Sequence, residues 1–487
     1  MFTGLFDGWI NSAFTILGIV NFIIAISIIF LERKNPSATL AWLCILFLLP
    51  VVGIVLYIFL SQNIARQKIF KMTKDEERII GKSLSLQIKD IGEGKYNFST
   101  PEAKTWLDMI KLNQSYAHAY YTQDNKVTIM TDGNHMYNSL LDDIRKAKHS
   151  INVEFFIVKK DFAGKGLIDA LTQKAKEGVT VRLLLDAVGS REIWEKDLDK
   201  FKKAGGKYAF FFKNRFRVIN LKLNYRNHRK IVVVDGKIGY IGGFNIGKEY
   251  LGKKRKFGYW RDTHLRILGG AVNDLNTRFL MDWRFASGEE IELSEAFYNM
   301  PNRMGNTGIQ IVCSGPDSSR EEVKRAYMKM ITSATKNVYL QTPYFVPDKS
   351  ILESLKMAAL SGVDVRVMIP CMPDHMFVYW ATYSYAGEML RAGVRVFIYE
   401  NGFLHAKTMT ADGEVATVGT TNFDIRSFRL NFECNAFIYD AEETFKLEAA
   451  FESDMSHCKE LTVSEYKKRG NIVKFKESIA RLLSDLL

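Results

Sequence analysis

No Cys-x-x-Cys pair occurs in the 487 residues, and the five cysteines (Cys44, Cys313, Cys371, Cys434, Cys458) are odd in number and far apart. That spacing excludes a cysteine zinc site and a disulfide framework, and reduced thiols facing the cytoplasm are the reading. Lysine and arginine are missing from Met1–Ser12, and no small-residue cleavage site precedes Glu32, so a cleaved signal peptide fits the first apolar run poorly. Charge is missing from two long apolar runs, Ala13–Leu31 and Leu40–Leu60. Each has about the 20 residues that cross a hydrocarbon core roughly 30 Å thick. Finally, Asp and Glu are missing from Lys200–Val234, where Lys and Arg alternate with aromatics.

The two apolar runs, joined by the loop "ERKNPSAT", predict a hairpin of two transmembrane helices. Arg33 and Lys34 lie in the loop, while Arg66, Lys68, Lys71, Lys74 and Arg78 follow the second run. The heavier basic flank stays inside, which places the chain from about residue 64 onward on the cytoplasmic side. A net charge of +13 points to a polyanionic partner, nucleic acid or an anionic membrane face, and composition alone does not choose. The basic, aromatic stretch before Asp235 suits an anionic leaflet and its headgroups. The terminal "VKFKESIARLLSDLL" reads as an amphipathic helix packed on its own domain.

Beyond about residue 100 apolar runs alternate with helical stretches of ten to fifteen residues, the pattern of α/β units with parallel strand pairs. Gly178-Val179-x-Val181-Arg182 recurs as Gly362-Val363-x-Val365-Arg366. A period of roughly 180 residues is too long for a solenoid and marks a duplicated domain. The organisation expected is residues 1–62 as membrane anchor, 63–110 as a linker or amphipathic segment, and 111–300 and 301–487 as two equivalent halves.

Within the repeat, "NHRKIVVVDGKIGYIGGFN" (Asn227–Asn245) matches "LHAKTMTADGEVATVGTTN" (Leu404–Asn422). Alternate strand residues share a face, so His228 projects with Lys230 and His405 with Lys407. Asp235-Gly236 and Asp412-Gly413 are two-residue hairpin signals, which set 228 opposite 243 and 405 opposite 420. Asn245 and Asn422 then fall beside the His and Lys, and Gly242-Gly243 and Gly419-Thr420 admit a bulky group. Two ammonium groups and two amides suit the charged oxygens of a phosphodiester. One imidazole can attack phosphorus while the other serves as acid and base. Asp262 and Glu433 align in the next repeated strand, about thirty residues past each histidine, and are placed to orient the rings. Asp235 and Asp412 complete the motif and stand in its catalytic set, although their place at the far end of the hairpin favours a structural role. His118, His135, His149, His264, His375 and His457 have no second copy and read as ordinary surface or core residues.

The doubled His-x-Lys-x4-Asp motif resembles the phospholipase D superfamily. "AWLCILFLLPVVGIVLY", "GGFNIGKEYLG", "YWRDTHLRI" and "GTTNFDIRSFRLNFE" resemble the bacterial cardiolipin synthases over nearly the full length. That resemblance implies two phospholipase D-like halves, each a mixed, mostly parallel sheet flanked by helices. It implies a phosphatidyl group passing from one phosphatidylglycerol to another through a phosphohistidine, with no cofactor or metal. By the same resemblance His228 is the nucleophile and His405 the general acid and then base, with phosphatidylglycerol and anionic lipid as partners and no nucleic acid. The superfamily's usual Gly-Ser-x-Asn carries Gly243 and Thr420 at the serine positions. A membrane-bound hydrolase and, further off, a nuclease share the motif. An inactive scaffold does not fit, since neither motif has lost its His or Lys.

Overall fold

The computed structural model describes residues 2–31, 36–60, 69–70, 73–213, 224–291 and 304–484. The chain divides into two compact units, residues 1–64 with 214–225, and residues 65–213 with 226–487. Of the basic residues that set the expected orientation, Arg33, Lys34, Arg66, Lys68 and Lys71 lie outside the described residues, as do 214–223 of the basic aromatic stretch.

The first unit holds helices Phe2–Leu31, Pro36–Leu48 and Pro50–Leu60. Pro50 has no amide hydrogen to continue the ladder, and it disfavours helical geometry at Leu49. The second apolar run therefore bends at this point instead of forming one rod. Its arms fold back on each other: Trp42 meets Tyr57 edge-on at 5.5 Å. A Cβ at Gly53 would lie 3.0 Å from the Ile45 carbonyl oxygen, so the absent side chain permits the close approach. Among the described residues no helix is long and apolar enough to cross a membrane.

In the second unit the first half contributes β1 (Tyr121–Asp132), β2 (Ser150–Phe155), β3 (Thr180–Asp186), β4 (Lys207–Phe211), β5 (Arg226–Asn227), β6 (Ile231–Val234), β7 (Ile238–Gly242) and β8 (Trp260–Leu268). The second half contributes β9 (Thr307–Ser314), β10 (Asn337–Gln341), β11 (Phe345–Val346), β12 (Asp364–Pro370), β13 (Arg395–Tyr399) and β14 (Phe403–Leu404). It continues with β15 (Thr408–Ala411), β16 (Val415–Gly419), β17 (Phe423–Asp424), β18 (Asn431–Tyr439) and β19 (Cys458–Leu461). The main strand order of the first half is β4-β3-β2-β6-β7-β8-β1. The second repeats it as β13-β12-β10-β15-β16-β18-β9. β1 and β9 pair antiparallel and join the two sheets.

Each sheet is mixed, as expected, but mostly antiparallel: within these two strand orders only β2-β3-β4 and β10-β12-β13 run parallel. The cause is the motif hairpin, which adds antiparallel strands beside each parallel block. The hairpin register also differs by one residue from expectation. Val234 pairs with Ile238 and Ala411 with Val415, so three residues turn the chain. Asp235 and Gly236 adopt φ of 53° and 65°, Asp412 and Gly413 57° and 71°, a left-handed pair that Asp and Gly tolerate.

Inward-facing Val153, Val181, Leu183, Val232 and Val234 form the first core with helix residues Leu167 and Leu171. Val338, Val365, Val367, Val396 and Met409 are their counterparts in the second. The expected linker is part of this packing. Helix Lys74–Gly92 is closed by a Thr73–Glu76 capping box, and Gln87 donates to the Tyr121 carbonyl and accepts from the Tyr121 amide. Trp106, Met109 and Ile110 are buried in the core of the second half.

Candidate active site

The site is built by an exchange of strands between the halves. β5 pairs in parallel with the start of β18, and β14 with the start of β8. The His228 amide donates to the Phe432 carbonyl at 2.9 Å and the His405 amide to the Arg261 carbonyl at 2.7 Å. The next residue on each facing strand is an acid. Glu433 Oε2 lies 3.0 Å from Nδ1 of His228, and Asp262 Oδ2 lies 2.5 Å from Nδ1 of His405. Each histidine is thus oriented by the carboxylate of the opposite half. With Nδ1 engaged, Nε2 is the nitrogen left for chemistry.

Both acids are fully buried and held below the usual carboxylate range. Burial raises them, and the neighbouring charges outweigh it: Lys407 and His405 at Asp262, His228 and Lys230 at Glu433. Glu433 also accepts from Thr420 Oγ1 at 2.5 Å and Asn431 Nδ2 at 3.1 Å. At the position matching Thr420, a Cβ on Gly243 would stand 2.0 Å from Asp262 Oδ1. Asp262 occupies the space that a side chain there would need.

The lysines sit behind the histidines. Lys230 Nζ donates to its own histidine carbonyl (His228 O) at 2.7 Å, and Lys407 Nζ donates to the His405 carbonyl and lies 2.8 Å from Nδ1 of His405. Burial pulls Lys230 down to about 7 and Lys407 to about 8. Burial also lowers His228, and burial followed by the Lys407 charge brings His405 to about 4. Burial thus favours the neutral ring at both histidines.

Two arginines brace the carboxylate strands. Arg229, 1% exposed, grips Asp282 through Nη1 at 2.8 Å to both oxygens and donates from Nε to the Glu433 carbonyl. Arg261 grips Asp454 through Nε and donates from Nη1 to the Asp262 carbonyl. Asp282 and Asp454 stand on the equivalent helices Ala271–Ser287 and Ala441–Met455, yet their arginines come from different motif positions.

A cavity of about 610 Å³ opens over both histidines, within the range of roughly 300–1,000 Å³ for small-molecule sites. Asn245 and Asn422 stand on its wall. Asn245 Oδ1 accepts from the Ile157 amide at 3.1 Å, while Asn422 Oδ1 is buried without a partner. Of the expected set, His228, His405, Asn245 and Asn422 reach the cavity, with Lys230, Lys407, Asp262 and Glu433 directly behind. Asp235 and Asp412 do not come to it, which corrects their place in the catalytic set. Asp235 accepts the amides of Lys148, His149 and Ser150, and Asp412 those of Thr335, Lys336 and Asn337. They pin the loops entering β2 and β10. His375, expected as ordinary, lines the cavity with Tyr344, Asp374, Arg226 and Arg426. Only Arg226, two residues before His228, carried a positional signal.

Two sheets of the same order, each giving a histidine to one cavity with the lysine of its His-x-Lys pair behind it, define a phospholipase D-type fold. The structure of phosphatidylserine synthase from Haemophilus influenzae has this fold: TM-score 0.60 at 14% identity, over 78% of this chain and all of that one. Family comparison then narrows the class. The family described as "Cardiolipin synthase, PLD-like domain" matches residues 140–279 and 327–455, and "Phospholipase_D-nuclease N-terminal" matches residues 19–62. The major cardiolipin synthase of Bacillus subtilis is 47% identical over 475 residues, 96% of this chain and 98% of that protein. The Oceanobacillus iheyensis cardiolipin synthase is 46% identical, with 96% and 98% covered, and the one from Staphylococcus aureus 46%, with 98% and 97%. The chain belongs to the cardiolipin synthase family of the phospholipase D superfamily.

Proposed function

We propose that the two half-sites transfer a phosphatidyl group between two phosphatidylglycerol molecules through a phosphohistidine on His228. Membership of the family makes the chain a phosphatidyltransferase acting on phospholipid, a cardiolipin synthase. The observation that carries the mechanism is the shared cavity: two imidazoles from different halves, each tied at Nδ1 to a buried carboxylate. Neutral His228 attacks phosphorus through Nε2, and the imidazolium that forms is stabilised by Glu433. His405 gives a proton to the departing glycerol oxygen. The anionic phosphodiester favours that protonated form by its charge, against the pull of burial and Lys407. A second phosphatidylglycerol hydroxyl then gives its proton to His405 as its oxygen bonds to phosphorus and the P–N bond breaks. Asn245 and Asn422 supply amide donors, and Lys230 and Lys407 supply positive charge behind the phosphoryl oxygens.

The N-terminal apolar helices serve this chemistry as a membrane anchor, with the catalytic unit on the cytoplasmic face of the cell membrane. Two full spans would require the arms on either side of Leu49 to straighten. Labelling of a single cysteine placed at Ser37 or Ser61 from either side of sealed vesicles distinguishes two spans from a re-entrant hairpin.

The function is tested with purified protein, detergent and phosphatidylglycerol. Cardiolipin and glycerol in equal amounts are expected. Phosphatidic acid as main product would instead establish a hydrolase.

A further inference from the structure

Duplication gives each half the same reacting groups, so departures from the repeat show what one end of the cavity does that the other does not. Arg226 and Arg426 both line the cavity. Arg226 lies on β5, where its strand partner is Asn431. Arg426 lies on the short helix Ile425–Arg429, which runs through Leu430 directly into Asn431. The two guanidinium groups thus come from opposite halves to one edge of the cavity. Burial lowers both from their ordinary value; the Arg226 charge adds to that at Arg426, while Asp424 acts on Arg426 and Asp186 on Arg226 in the opposite sense.

The equivalent positions carry no such pair. Counting back from the motif histidines, Arg226 corresponds to Phe403, and counting on from the motif asparagines, Arg426 corresponds to Glu249. Phe403 is fully buried against Trp260, and Glu249 is paired with Lys254 at 2.6 Å. One end of the cavity carries two guanidinium groups, with Asp186 and Asp424 nearby, where the matching positions of the other carry an aromatic ring and a lysine-paired acid.

The transfer reaction brings two phosphates to this cavity, and the mechanism above places only one of them at the histidines. The acceptor keeps its own phosphodiester intact, a glycerol unit away from the hydroxyl that reacts. We infer that Arg226 and Arg426 form a second phosphate subsite, which holds the unreacted phosphodiester of the acceptor phosphatidylglycerol. Planar guanidinium groups suit this task, since each can give two parallel N–H donors to phosphate oxygens. The inference rests on the transfer reading. It adds that the cavity selects an acceptor bearing a phosphate over an alcohol without one.

Glycerol provides the comparison, because it reacts by the same step without a second phosphate. Its hydroxyl oxygen bonds to phosphorus, the P–N bond breaks and the proton passes to His405, regenerating phosphatidylglycerol. Full-length protein in mixed micelles with phosphatidylglycerol and labelled glycerol reports both routes at once, as label entering phosphatidylglycerol and as cardiolipin formed. In Arg226→Gln, Arg426→Gln and the double variant, the ratio of cardiolipin to exchange should fall, by about tenfold or more in the double variant for loss of charge-assisted bonds. Arg→Lys variants keep the charge and should recover part of the ratio. Label incorporation in the same tube shows that the protein is folded. A ratio equal to wild type, or Lys variants no better than Gln, would overturn the subsite. Wild-type protein that makes no cardiolipin would instead overturn the transfer reading before any variant is compared.

Discussion

Glu433 holds His228 across 205 residues of chain, Oε2 to Nδ1 at 3.0 Å, and Asp262 holds His405 in the reciprocal sense across 143. The crossing follows from the strand exchange: β5 and β14 each lie on the other half's acid-bearing strand. Neither half completes its own histidine. Glu433→Gln should therefore slow the step made by His228, and Asp262→Asn the steps that use His405. A loss of about 10²–10⁴-fold in turnover is expected for each, the scale seen when a histidine loses its orienting acid or its acid–base role. With a phosphatidyl donor that has a good leaving group, Asp262→Asn should still become labelled at near the wild-type rate while Glu433→Gln labels slowly. Stopped-time labelling of both variants gives the comparison, and the reverse pattern would place the acids in their own halves.

Gly243 should tolerate no side chain, although the superfamily's usual motif has serine there. A Cβ would stand 2.0 Å from Asp262 Oδ1, so Gly243→Ala must displace the acid that orients His405. We expect a fall of about 10²-fold or more in cardiolipin formation. Thr420→Ser keeps the hydroxyl that Glu433 accepts and should stay within a few-fold of wild type, a loss of under about 1 kcal/mol. Thr420→Val should fall well below it. Steady-state rates on phosphatidylglycerol micelles separate these cases.

The duplication, the two His-x-Lys pairs, the asparagines and the alignment of Asp262 with Glu433 were legible because each occurs twice. The crossing of the acids was not, because spacing along the chain says nothing about which strand β5 joins. The hairpin register slipped because an Asp-Gly pair serves a three-residue turn as readily as a two-residue one when both residues take positive φ. Trp106 and Met109 read as linker because a short helix shows its buried face only once its partner strands are known. Arg226 was legible only as one residue of the basic aromatic stretch, and Arg426 not at all, because together they mark a difference between the halves that the repeat does not carry.

Asp235 and Asp412 should be residues of stability. Each accepts three backbone amides at the entry to a parallel strand, so Asp235→Ala or Asp412→Ala leaves those donors without their acceptor. A cost of about 1–3 kcal/mol is expected, read as a lowered Tm. The rate per folded molecule should hold, and a large fall in that rate with Tm unmoved would return them to the catalytic set.

The pH profile should show the buried lysines. Lys230 at about 7 and Lys407 at about 8 lose charge as pH rises, so kcat/KM should fall above neutrality. A bound phosphodiester favours the ammonium form, which should move the alkaline limb of kcat to higher pH. The stability effect has the opposite sense. Both lysines are lowered from 10.5 on folding, so between the folded values and 10.5 the unfolded chain binds more protons, and the lysine contribution to stability rises with pH. His405, lowered from 6.5 to about 4, likewise costs stability as pH falls from 6.5 towards 4. Tm measured across pH tests the sign.

The most direct test is the site of the covalent bond. Protein quenched during turnover with a phosphatidyl donor bearing a good leaving group should carry the phosphatidyl group on His228, located by mass spectrometry of its peptide. In His405→Ala, attack on that donor needs no acid, so the label should form and persist, while His228→Ala should take none. A label on His405 with His228 intact would contradict the assignment, and inversion of configuration at phosphorus over the full reaction would exclude the covalent intermediate.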